Sequence, residues 1–430
     1  MTAFKKSILL GLNEINFDYI ISYNKQGKLP HFNKLFEQYG IQKTTSEGQY
    51  ELLEPWIQWV TVHTGKTYEE HKIFRLGDIV DRNDLIQLWN IAEEKGLTVA
   101  AVSPFNARND LKAPLFFVPD PWTKTPSSGN PLLKRLSKAV SQAVNDNANE
   151  RLEMSSVMAL IQGLVTYVPA AKYGKYLNLI KDIRKPGTKA VILDSLLADI
   201  FIKEWKKTQP DFSSLFLNTG AHIQHHYMFN SEVYDGSFKN PTWYCEEGYD
   251  PLYKILAVYD DLLGVLMASN VRLFVCTGLH QQPHEKLTFY WRLKEHAQNL
   301  RDMGVENMKE VLPRMSRDVL IEFISEDQAQ KAQQVLESYK VNQSEVVFQV
   351  DNRGRSLFVE LVYPNDIKDN VSMHSSLTGK SLLLKPMVAF VAIKNGEHNG
   401  EGYFVDTFQK PTSEETIPLT QVFHRISSSF

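Results

Sequence analysis

The chain has 430 residues, 43% of them apolar, and a formal net charge of −3. That length holds one large α/β domain with an insertion, or two to three smaller domains, around a sizeable core. The even charge balance, with no basic block, argues against nucleic-acid binding, no run approaches bilayer-spanning length, and the two cysteines, Cys245 and Cys276, form no framework and are expected as reduced thiols.

The first apolar run, SILLGL (7–12), is continuous, as a central parallel strand should be. It is too short for a signal-peptide core and is followed at once by Asn13 and Glu14, so a buried strand and a cytoplasmic location are expected. LPHFNKLFEQYG (29–40) has helical spacing and a glycine stop. EPWIQWVTVHTG (54–65) reads as a helix started by Pro55, whose first amides could face an anion; packing of Trp56 and Trp59 in a core is the plainer reading. NDLIQLWNIAEEKG (83–96) predicts a helix capped by Asn83, and LTVAAVS (97–103) the next strand. Strand, helix and strand at this spacing imply βαβ units and a parallel sheet.

Residues 131–208 read as mostly helical, 211–219 as a strand with its exit loop, 250–269 as an amphipathic helix and 271–279 as another buried strand. The pattern changes after His280. Residues 285–345 are charged and helical, and SEVVFQV and SLFVELVY flank DNRGR as a hairpin. PMVAFVAI (386–393) returns to the character of a core strand. The domain expectation is an α/β core of 1–284 and 371–430, with 285–370 inserted as a small α+β cap.

Four polar segments follow strands, where α/β folds place their sites. They are Asn13-Glu14, Asn218 to His226, Gly278-Leu279-His280 and Gly396-Glu397-His398. Imidazole is the commonest side-chain ligand of zinc-like ions, so one shared pocket is expected. The plainer alternative is that each histidine caps a strand through hydrogen bonds.

The order of these segments resembles the alkaline phosphatase superfamily, on its type I phosphodiesterase and nucleotide pyrophosphatase side. LLGLNEINFDYI with LPHFNKLFEQYG resembles that group's opening strand and helix. EPWIQWVTVHTGKTYEEHKIF resembles its nucleophile segment, and LIQLWNIAEEKGLTVAAVSPF the stretch after it. LNTGAHIQHHY, FVCTGLHQQP and GEHNGEGYFV resemble its later ligand segments. The resemblance covers most of 1–285 and 385–430. It implies a three-layer sandwich around a mostly parallel sheet, and a two-metal site of aspartates, histidines and a Thr or Ser nucleophile.

This sequence departs from that pattern. Asn13 and Asn218 stand at the first two aspartate positions, Leu279 at the third, and Pro55 or Glu54 at the nucleophile. Two close divalent ions need anionic ligands to offset their repulsion, so at most one metal is expected. Zinc, manganese or iron suits imidazole ligation, and no metal at all is the alternative. His222, His226, His280 and His398 are the expected metal ligands, with Glu14 or Glu54 completing the set. Glu54, Glu14 and His222 are the expected catalytic groups, and Asn13, Asn218, Trp56 and His225 the substrate-binding ones. His374 is a spare candidate for the late histidine position. His222 is expected to be functional, and at least one of His225 and His226 to be an ordinary imidazole.

The implied activity is a phosphodiesterase-, phosphatase- or sulfatase-like hydrolase or transferase. Its substrate would be a small anionic molecule, phosphorylated or nucleotide-activated, with a sugar as one option. The alternative is a non-catalytic relative that binds an anionic ligand or a partner. Neither nucleic acid nor membrane is expected as a partner, and a homo-oligomer is left open.

Overall fold

The computed structural model describes residues 6–145, 153–313, 317–413 and 415–430. The chain forms two compact units. The first comprises residues up to Gly236, Pro241–Pro283 and Gly396–Phe430; the second comprises Ser237–Asn240 and His284–Asn395.

The first unit is built on strands β1 (Ser7–Leu12), β2 (Gln42–Thr45), β3 (Val99–Val102), β4 (Phe116–Val118), β5 (Phe212–Leu217) and β6 (Arg272–Cys276). β7 (His280–Leu293) and β8 (Val388–Asn399) pair with each other and fall mostly in the second unit; β9 (Glu401–Asp406) and β10 (Ile417–Pro418) belong to the first. The eight-stranded sheet runs β10-β2-β9-β6-β1-β5-β3-β4. Its pairings are parallel except where β9 lies antiparallel between β6 and β2.

All six residues of β1 are buried, because the strand is covered on both faces. Ile8, Leu10 and Leu12 enter one apolar cluster with Leu215, Leu217 and Val275. Leu9 points the other way, into a cluster with Trp59, Phe212, Phe216 and Phe274. Alternation along one strand thus fills two cores, one on each face of the sheet.

The principal helices are α1 (Pro30–Tyr39), α2 (Pro55–Thr64), α3 (Leu88–Glu94), α4 (Pro131–Asn145), α5 (Met154–Tyr167), α6 (Tyr173–Lys181), α7 (Thr188–Thr208), α8 (Thr219–Tyr227) and α9 (Pro251–Met267); further helices include Phe17–Lys25 and Thr420–Ser427. Pro55 does open α2, and Gly65 closes it at φ 69°. The Asn83 cap is not formed. α3 starts later, where Gln87 and Asn90 make a reciprocal capping box. Cys245 and Cys276 are both free and buried.

The second unit is α+β. One antiparallel sheet orders Glu345–Val346, Tyr339–Val341, Ser372–Ser375 and Ser381–Leu383. Another orders Phe348–Asn352, Ser356–Leu361, Asp318–Phe323 and Met308–Pro313, and contains the hairpin read around DNRGR. The unit continues past residue 370 because Met373–Ser375 pair with Tyr339–Val341. PMVAFVAI lies at the start of β8, outside the eight-stranded sheet; the strand that returns to that sheet is β9. A periodicity shared by both strands could not tell them apart.

Candidate metal and catalytic site

β1 lies between β5 and β6, so its carboxyl end opens at the middle of the sheet. The chain leaves it through Asn13, whose amide donates to the Leu217 carbonyl (3.1 Å), and Glu14, whose amide donates to that of Thr277 (3.1 Å). Glu14 has φ 57°, a left-handed conformation costing roughly 1–2 kcal/mol outside glycine. Its own carbonyl accepts from Gln224 Nε2 (2.7 Å) and the Gln281 amide (3.1 Å). These bonds hold the strained turn and commit the Glu14 side chain to the interior.

The Glu14 carboxylate is 2% exposed and saturated with donors. Oε2 lies 3.1 Å from His225 Nε2, 3.1 Å from His398 Nε2 and 2.5 Å from Gln281 Nε2. Oε1 accepts from Asn13 Nδ2 (2.9 Å). Burial alone would raise its pKa, but the imidazoles of His398 and His225 outweigh it and hold the carboxyl well below the usual range. Glu54 is the helix cap residue before Pro55, and its Oε2 lies 4.0 Å from His398 Nδ1. Burial raises its pKa, partly offset by His398.

The fold places the expected residues differently from a set of His222, His226, His280 and His398. Glu14, His225 and His398 offer ligand atoms that all lie within 4.8 Å of one another, and among the described residues they are the one such group. Helical phase explains the exchange of His222 for His225. α8 buries Ala221 and Gln224, and His225 follows on that side, its Nδ1 3.4 Å from the Gly396 carbonyl. His222 and His226 share another face, their rings 4.9 Å apart. His222 is exposed. The surrounding protein and His225 lower its pKa, an effect that solvent exposure limits.

His280 is buried, but its Nδ1–H donates to the Glu401 carbonyl (2.7 Å), so it ties β9 to the sheet edge. Trp56 is partly buried; it donates its indole N–H to the Phe74 carbonyl (3.1 Å) and packs against the core. Two of the first amides of α2, those of Ile57 and Gln58, donate to the Glu54 carbonyl, which leaves fewer for an anion. His374 sits in the second unit, in the strand Ser372–Ser375.

Asn13 and Asn218 lie beside Glu14. Trp59 Nε1 donates to Asn13 Oδ1 (2.7 Å), which turns Asn13 Nδ2 toward Asn218 Oδ1 (2.7 Å) and Glu14. A second carboxylate at 13 would face the Glu14 charge. The neutral amide is therefore what this packing suits, and it leaves no anionic pair for a second cation.

The donor set fits one ion. A carboxylate oxygen and two imidazole nitrogens are transition-metal ligands. A tetrahedral ion with bonds of about 2.0–2.1 Å sets its ligands about 3.3 Å apart, close to the two 3.1 Å separations at Glu14 Oε2. The residues that the sequence reading missed are Gln224, Gln281 and, as a hydrogen-bond donor, Trp59. Their signal is burial, since a fully buried amide must be bonded, and a sequence does not display burial.

No family model matches the chain, and no curated protein does. Solved structures do. Phosphonoacetate hydrolase from Sinorhizobium meliloti 1021 is similar over 99% of this chain and 96% of its own, at 10% identity and TM-score 0.44. Murine ectonucleotide pyrophosphatase/phosphodiesterase 5 is similar over 99% and 94%, at 11% identity and TM-score 0.46. Alkaline phosphatase from the Antarctic bacterium TAB5 is similar over 99% and 97%, at 11% identity and TM-score 0.39. At such scores the fold of this chain rests on its own strand order, and its site on its own side chains.

Proposed function

We propose that the chain is a hydrolase of phosphoric or related ester bonds that works with a single divalent transition metal held by Glu14, His225 and His398. The observation that carries this reading is the convergence of those three ligand atoms at the carboxyl edge of a parallel sheet. The metal would polarise the ester oxygen and lower the pKa of bound water. Glu14 supplies the fixed negative charge, and Asn13 and Gln281 hold it in place. Glu54, with its raised pKa and its place 4.0 Å from His398, is suited to take up or release a proton. Pro55 has no nucleophile, so water rather than the helix start attacks. The substrate class, a phosphorylated or nucleotide-activated molecule, follows from the motif resemblance.

A second reading has its own observation. The Glu14 carboxylate is already satisfied by protein donors, as in a structural ion-pair cluster. One experiment separates the two: elemental analysis of the purified protein, with assays on p-nitrophenyl phosphate, bis-p-nitrophenyl phosphate and p-nitrophenyl sulfate. The enzyme reading expects near-stoichiometric zinc, manganese or iron and turnover that His398→Ala abolishes. A metal-free protein, inert on all three after metal addition, would leave the cluster structural.

A further inference from the structure

Of the eighteen large apolar side chains exposed among the described residues, eight fall between Met154 and Ile183. On α5, Met154, Met158, Ile161 and Val165 are exposed at 75%, 58%, 50% and 68%, spaced four, three and four residues apart. That spacing is one stripe of a helix. The opposite side of α5 is occupied: Ser156, Ala159, Gly163 and Tyr167 are buried, and Leu160 and Leu164 pack on the core. On α6, Tyr173, Leu177 and Ile180 repeat the pattern, and Ile183 follows. An exposed patch of this kind on a folded chain marks an interaction surface.

The charges select its occupant. α5 carries no charged residue from Met154 to Tyr167. From Lys172 to Lys189 there are six basic residues; Lys172, Lys175 and Lys185 pair with Asp199, Asp261 and Asp182, so the excess positive charge is carried by the exposed Lys181, Arg184 and Lys189. On α4, Lys134, Arg135 and Lys138 are exposed, and Arg135 donates to Gln162 on the outer side of α5 (2.9 Å). Helix-to-helix pairing between two copies would call for charges of both signs flanking the stripe. Apolar stripes bordered by cations suit an anionic phospholipid surface instead.

The helices are too short to cross a membrane. No single helix is long and apolar enough, and α5 passes such a test only together with the segment Ala170–Lys181, bent from it by 111°. Fourteen residues of helix span about 21 Å against a hydrocarbon core of about 30 Å. We propose that α5 and α6 lie in the interface of an anionic bilayer, with Met158, Ile161, Val165, Leu177 and Ile180 among the acyl chains and Lys181, Arg184 and Lys189 at the headgroups. The expectation of no membrane partner came from the lack of a spanning run, and a surface-lying helix needs a stripe rather than length.

The test is flotation of the full chain with vesicles of phosphatidylcholine alone and of phosphatidylcholine with 30% phosphatidylglycerol, alongside light scattering of the free protein. The expected result is binding to the anionic vesicles that weakens with salt. Ile161→Glu with Leu177→Glu should reduce it at least tenfold with an unchanged melting temperature, because both side chains are exposed. Lys181→Gln with Lys189→Gln should reduce it about fivefold per charge at low salt. Wild-type protein that does not float, or a double glutamate variant that floats like wild type, would overturn the proposal. So would a wild-type dimer that the glutamates dissociate and that ignores vesicles, since it would put a second copy on the stripe.

Discussion

Glu14 is the residue on which the site turns, because it brings its charge into a space that holds two imidazoles. Its lowered pKa fixes the sign of its pH dependence. Its stabilising contribution is present above the pKa of an unfolded glutamate and is lost as pH falls through the lower folded value. Glu14→Gln leaves two imidazoles facing an amide, and removing one partner of a buried pair costs about 3–5 kcal/mol. Denaturant melts at pH 7 should show that loss, and the gap to wild type should narrow as the pH falls below the usual carboxylate range. Asn13→Asp makes the converse change. A second carboxylate beside Glu14 should lower the melting temperature of the metal-free protein, and added zinc should restore part of it by offsetting the repulsion. A melt indifferent to zinc would mean that the position is not near a cation site.

At the scale of the element, α8 shows what was legible and what was not. The sequence announces its three histidines and the strand before them. Which of the three faces Glu14 depends on the phase with which the helix leaves β5, and that is set at the helix start. There Asp194 Oδ2 accepts from the Thr219 amide (2.9 Å) and the Tyr259 hydroxyl (2.6 Å), and Tyr259 accepts from the Gly220 amide (3.0 Å). Asp194 and Tyr259 lie on α7 and α9, so no local pattern reveals the phase. Burial raises the Asp194 pKa to about 6. Its favourable contribution is complete below the unfolded value and lost as pH rises through about 6. Wild type should therefore lose more stability than Asp194→Asn between about pH 4 and pH 6, read from paired denaturation curves. Gly220 packs tightly there, because an added Cβ would sit 2.2 Å from Ile15 Cδ1. Gly220→Ala should cost about 1–3 kcal/mol and, by shifting α8, lower activity more than a surface change of equal cost.

At the scale of the whole molecule, continuous apolar runs made β1, β3, β5 and β6 readable, and their shared carboxyl edge followed from parallel pairing. The strand order was not readable. β9 is inserted antiparallel between β6 and β2, so its amino end, rather than its carboxyl end, meets the site. His398 therefore precedes a sheet strand, and Gly396 is needed where an added Cβ would approach Gln281 Oε1 to 2.2 Å. An ion bound there would tie together Glu14, His225 and His398 from three distant parts of the chain, so it should act on global stability. Ligand at one hundred times its Kd adds about 2.7 kcal/mol. A chelator should lower the melting temperature of the metal-loaded protein by several degrees, and zinc, manganese or iron should restore it. No shift on chelation would show that the cluster holds nothing tightly.

The central place of β1 has a consequence in time. It is the earliest strand of its sheet in the chain, yet its neighbours there are Phe212–Leu217 and Arg272–Cys276. At synthesis rates of about 5–20 residues per second, the first of these follows after about 10–40 s. During that interval an apolar strand, unpaired on both sides, is exposed in a growing chain. A nascent chain paused before residue 212 should therefore bind chaperones or aggregate far more readily than one released after 276.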